Sequence, residues 1–133
     1  MSESNFEGVQ AFHDMLGYKH RERGPHLLYA DHMLHRLNFL REECMEMSEA
    51  YVDGRTADVF DALIDLVYVA LGTADMMGLP WEEGWARVHA ANMAKKPGVK
   101  EGRSGGPDAV KPADWRAPDL TDLVGIESRE EEL

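Results

Sequence analysis

The sequence has a single cysteine, Cys44, so no internal disulfide can staple the chain. That scarcity points to a reducing compartment, and the expected location is cytoplasmic. No apolar run approaches the roughly 18–20 residues that span a bilayer. The most apolar stretch, residues 63–71, is too short. The opening residues MSESNFEGVQ lack the basic start and apolar centre of a signal peptide. Positive charge is also scarce: 14 Lys and Arg stand against 25 Asp and Glu, a formal net charge of −11 at pH 7. Such a surface disfavours nucleic-acid backbones and anionic membranes, so neither is an expected partner. There is no P-loop pattern, no G-x-S-x-G and no Gly-rich dinucleotide fingerprint. No internal repeat recurs at a fixed period. Alternation never persists, so no strand is predicted.

What remains is helical. The 133 residues suit one domain with a modest core. Phe6, Val9, Phe12 or His13, and Leu16 fall at helical spacing over residues 5–16. Gly17 and a polar stretch to Gly24 end that helix. Pro25 suits the first turn of a long second helix over 26–52, stopped by Gly54. Thr56 is the expected N-cap of a third helix over 57–77, closed by Gly78. Pro80 opens a fourth over 81–95, in which Trp81 and Trp85 are expected in the core. Residues 98–108 are rich in Gly and charge and read as mobile. A short last turn is predicted over 119–126, and the acidic tail 127–133 reads as solvated. The predicted fold is all-α, an up-down four-helix bundle with an irregular C-terminal arm. Residues 1–97 form the bundle, and 98–133 a loop and arm of the same domain.

The third helix carries the first chemical signal. Its apolar residues cover nearly every direction around it, which predicts burial on most sides. Yet Asp61 and Asp65 sit on one stripe of it, followed by Tyr68 and Gly72. Buried carboxylates without partners are strongly unfavourable. A metal ion, a basic side chain or a water-filled cleft would compensate them, or else the stripe faces solvent. Gly72, costly inside a helix, points to close approach of a ligand or another helix.

The second helix supplies a counterpart. Glu42, Glu46 and Glu49 share a narrow stripe, with Glu43 to one side. Alone this reads as a solvated acidic face. Folded as an antiparallel hairpin, however, the two helices would set Glu43 and Glu46 opposite Asp61 and Asp65. An all-oxygen carboxylate cluster suits Mg²⁺ or Mn²⁺ rather than Zn²⁺. Such ions assist phosphoryl displacement, and a carboxylate can orient or deprotonate the attacking water. His32 and His35 share a face but lack a third ligand, so zinc is not expected. Cys44, among carboxylates, is not read as a nucleophile.

Glu42-Glu43-Cys44-Met45-Glu46 has the E-E-x-x-E pattern of the MazG-like all-α NTP pyrophosphatases, a superfamily that the sequence resembles. Asp65 matches the aspartate of that family's E-x-x-D motif, Asn92-Met-Ala-Lys95 its N-x-x-K, and residues 111–120, KPADWRAPDL, the C-terminal stretch of dUTPase-like members. The resemblance spans roughly residues 27–120. Ala62 departs from it, standing where E-x-x-D has glutamate: either Asp61, one position earlier on the Asp65 stripe, substitutes, or its shorter side chain leaves the ion one protein ligand fewer, and the number of metal ions depends on which. The resemblance implies a Mg²⁺-dependent hydrolase releasing a nucleoside monophosphate and pyrophosphate, with Mn²⁺ as an alternative metal. It implies Glu43, Glu46 and Asp65 as primary metal ligands, Glu42 as holder of a second ion or of the water, and Asp61 as a conditional ligand. Asn92 and Lys95 would contact phosphates, and Lys111 and Trp115 would form part of a flap. A homodimer or higher homo-oligomer is implied, with the apolar side of the second helix as candidate interface. Phosphoribosyl-ATP hydrolysis shares the architecture, and a non-catalytic nucleotide- or partner-binding module of the same fold is the alternative to an enzyme.

Overall fold

The computed structural model describes residues 2–100, 102 and 106–125. Helix α1 spans Asn5–Leu16, α2 Ala30–Val52, α3 Thr56–Met76 and α4 Trp81–Met93, with a short α5 at Thr121–Val124. A 3₁₀ turn, His20–Arg23, links α1 to α2. Among the described residues no helix is long and apolar enough to cross a membrane.

Local chemistry sets the ends of α1. Ser4 and Glu7 form a capping box, each side chain satisfying the other's backbone N–H. Gly17 closes the helix in the left-handed conformation that an L side chain resists (φ 81°). Phe6, Val9 and His13 then face inward, while Phe12 and Leu16 are exposed. The core gathers Phe6, Val9, Leu71 and Ala74, with Leu79 and Trp81 packed against it. Trp81 stacks on Phe6, centroids 6.1 Å apart. Trp85, expected inside, is 60% exposed: one turn further along α4 its face has left the core.

Several boundaries differ from expectation. The second helix starts at Ala30 rather than His26, and Pro25 precedes it. The backbone N–H of His26 donates to the Met77 carbonyl, which ties the segment to the end of α3 and buries Leu28. Thr56 is the first residue of α3; Arg55 caps it without a side-chain hydrogen bond. Helix α4 ends at Met93. Two strands that alternation did not predict, Lys96–Gly98 (β1) and Asp108–Val110 (β2), pair antiparallel with Pro97 opposite Ala109. Helix α5 is shorter than the turn predicted to reach Ile126, which lies outside the described residues, as does the acidic tail.

Helices α2 and α3 form the principal pair, and α1 packs on α3. Burial of α3 is one-sided. Ala62, Leu71, Ala74 and Met76 are buried, but Phe60 is 65% exposed and Leu63, Ile64 and Val67 are about half exposed. These four lie at the i, i+3, i+4, i+7 spacing of one helix face. On α2, Leu34 and Leu37 are exposed too. The apolar girdle of α3 therefore exceeds what one chain covers.

Candidate functional site

The turn Asp53–Gly54–Arg55 folds α2 back along α3. Gly54 takes a positive φ of 70°, and the Arg55 N–H closes onto the Ala50 carbonyl. This hairpin brings together Glu43, Glu46, Asp61 and Asp65. Glu43 is half-buried, and its Oε2 is enclosed with no hydrogen-bond partner among the described residues. Burial raises the Glu43 pKa above the usual carboxylate range; the charges of Glu46 and Asp65, a side-chain hydrogen bond shared with Glu46, and the charge of Asp61 raise it further. Asp65 is raised as well, by burial first and then by Asp61 and Glu46. Four acids thus share one patch, and no basic side chain bonds to any of them among the described residues.

Glu42 is exposed. Ala62 is 3% exposed and packs in the interior. The second acidic motif therefore presents its carboxylate from Asp61, the neighbour that acts on both Glu43 and Asp65. Among the described residues no three acidic, Cys or His side chains already stand in a metal-ligating arrangement. The donor set still fits a divalent cation: every ligand is a carboxylate oxygen, and the orphaned Glu43 Oε2 is a buried acceptor that lacks a positive partner.

The second group of expected residues gathers at the end of α4. Trp115 donates its indole N–H to the Ala91 carbonyl at 2.7 Å, which docks the arm on the end of α4. Lys95 and Lys111 both lie over its ring, 5.4 and 4.8 Å from the centroid. Neither ammonium has an ion-pair partner among the described residues. Asn92 is exposed one turn before Lys95. The pair of lysines is a cationic patch on a strongly acidic chain.

A third polar cluster was not anticipated. Asp75, buried near the end of α3, accepts a 2.7 Å hydrogen bond from His13 Nδ1 and another from Arg21 Nε at 2.7 Å. Arg21 Nη2 and Gln10 Nε2 also donate to it. Burial pushes the Asp75 pKa up, but the bonds from Arg21 and His13 outweigh burial and hold it below the usual range. Arg36 is buried beneath Gly72. The close approach that Gly72 signalled is therefore made by α1 and α2 side chains. Asp75 itself was within reach of the same reasoning, as a third acid on the stripe that runs through Asp61, Asp65, Tyr68 and Gly72.

These features define an all-α protein whose carboxylate cluster lies between two antiparallel helices. Residues 9–92 match the family model of phosphoribosyl-ATP pyrophosphohydrolase. The chain belongs to this family, within the all-α NTP pyrophosphatase superfamily. The family is one of pyrophosphohydrolases acting on nucleotide-like substrates. The matched stretch contains all four clustered acids, Asn92 and the α2–α3 hairpin, and ends before Lys95 and the arm. No curated protein matches the chain.

Proposed function

We propose that the protein is a Mg²⁺-dependent nucleoside triphosphate pyrophosphohydrolase that releases nucleoside monophosphate and pyrophosphate. The observation that carries this reading is the buried, unpartnered Glu43 Oε2 inside a cluster of four acids. Glu43, Glu46 and Asp65 would hold the metal ion, with Asp61 in place of the glutamate that Ala62 lacks. When bound, Mg²⁺ (or Mn²⁺) would neutralise charge on the phosphate oxygens.

The side chains divide the remaining work. Glu42, exposed beside the cluster, orients or deprotonates the attacking water. Lys95 and Lys111, held over Trp115, offset the negative charge of the leaving pyrophosphate. Asn92 donates a neutral hydrogen bond from the same helix end. The exposed apolar faces of α2 and α3 support a homodimer. Sedimentation should then give twice the chain mass, and Ile64→Glu should give a monomer.

Pyrophosphate release from a panel of NTPs and dNTPs, with and without Mg²⁺, tests the reading. Phosphoribosyl-ATP belongs on the panel because the matched family carries that substrate in its name. Turnover of phosphoribosyl-ATP alone would reassign the substrate. No turnover of any member by folded, metal-supplied protein would leave the non-catalytic binding module instead.

A further inference from the structure

Arg36 is 9% exposed, yet no carboxylate stands against it among the described residues. Its Nε donates to Thr73 Oγ1 and its Nη2 to the Val69 carbonyl, both at 3.0 Å. Thr73 Oγ1 donates in turn to the same carbonyl at 2.8 Å. The guanidinium thus grips one turn of α3 from α2, while its carbon lies 5.6 Å from the Phe39 ring centroid. Gly72 provides the slot: a Cβ added there would come within 2.6 Å of Arg36 Nη2 and 3.1 Å of His13 Nε2.

The position of this grip matters. Glu43 follows Arg36 by two turns on the same face of α2, about 10 Å along the axis. On the antiparallel α3, Asp65 and Asp61 precede Val69 by one and two turns. A slip between the helices at Arg36 is therefore the same slip between Glu43 and Asp65. Buried polar groups can fix helix register at a cost in stability. A planar fork spanning a hydroxyl and a carbonyl suits that task; an ammonium is a point charge without the fork.

We infer that Arg36 is a positioning residue for the carboxylate centre: seated in the Gly72 slot, it sets the register of α2 against α3 and holds Glu43 opposite Asp65. The inference rests on the metal reading given above. A role through charge alone has the opposite signature. A cation near a metal site repels the metal, so removing it would tighten binding, and lysine would preserve the wild-type affinity.

The test uses full-length protein and Mn²⁺ as probe, read by electron paramagnetic resonance, with each variant confirmed folded by circular dichroism. Arg36→Met and Arg36→Lys should both weaken Mn²⁺ binding roughly tenfold, as loss of the groups supporting metal ligands does. Thr73→Val, which keeps the charge and removes one acceptor, should weaken it in the same direction by a smaller factor. It also serves if the Arg36 variants do not fold. Wild-type affinity in Arg36→Lys, tighter binding in Arg36→Met, or unchanged affinity in Thr73→Val would overturn the inference. A second readout needs no metal. Spin labels on the exposed native Cys44 and on Ala57→Cys, one turn outside the apolar face of α3, diluted with unlabelled protein so that only one protomer of a dimer carries labels, report the α2–α3 register directly. Their distance should shift or broaden in Arg36→Met and Thr73→Val, and an unchanged distance would overturn the inference. Absence of Mn²⁺ binding by the wild type would sink the metal reading alone, with register still decided by the labels.

Discussion

Replacing Glu43 by Gln keeps the shape of the side chain and removes one charge from the cluster. In the metal-free protein at neutral pH, Glu43 faces like charges on Glu46, Asp65 and Asp61. Each such neighbour costs a few tenths of a kcal/mol, so relief from three comes to about 1 kcal/mol. For a domain of this size that raises Tm by about 3–5 °C. With Mg²⁺ present the order should reverse. A ligand at a hundredfold its Kd stabilises the native state by about 2.7 kcal/mol, and a tenfold loss of affinity removes about half of that. Thermal melts in EDTA and in Mg²⁺ read both effects. Glu43→Gln should melt above the wild type in EDTA and gain distinctly less from Mg²⁺. An equal Mg²⁺ increment in both proteins would show that Glu43 is not a ligand. A lower Tm in EDTA would show that the acid stabilises the fold, against the reasoning.

Three further outcomes follow from the same geometry. Asp75→Asn leaves His13 and Arg21 buried or half-buried beside a neutral group, and urea unfolding should show a loss of about 3 kcal/mol, with the Mg²⁺ increment in Tm unchanged. Acidification separates the two acid clusters. Glu43 and Asp65 are raised, so the folded state binds their protons more tightly, and metal-free stability should fall as pH rises from the ordinary carboxylate range through the raised values. Asp75 is depressed, so its contribution is present above the ordinary range and lost as pH falls through its lowered value; melts in EDTA across pH 2–7 should show both limbs, about those ordinary values. Ala62→Glu, which restores the family's glutamate, places a carboxylate at an interior position and should destabilise by about 2 kcal/mol in urea without raising turnover.

The residues differ in how far their roles were legible in the sequence. Asp61 and Asp65 stood out because an acid interrupts an otherwise apolar helix, a conflict readable from periodicity alone. Glu43 and Glu46 were informative mainly through the family pattern, since on their own helix they match a solvated face and only an antiparallel hairpin sets them against Asp61 and Asp65. The Asp75 cluster escaped because its partners lie about sixty residues away and each is unremarkable where it stands; pairing exists only after α1 folds onto α3. Arg36 escaped for the same reason, although Gly72 marked the place where it lodges. The strands were too short for alternation to register, and the start of α2 was lost because the His26 N–H finds its acceptor on Met77, far along the chain. The face of α3 carrying Phe60 and Val67 looked like core because periodicity reports apolarity and not what covers it.

The most direct test of the central claim is turnover of a nucleoside triphosphate in ¹⁸O-labelled water with Mg²⁺, followed by ³¹P nuclear magnetic resonance. Attack at the α-phosphorus predicts pyrophosphate and a monophosphate that carries the label, in wild type and not in Glu43→Gln. Labelled orthophosphate with nucleoside diphosphate, or equal turnover by Glu43→Gln, would contradict it.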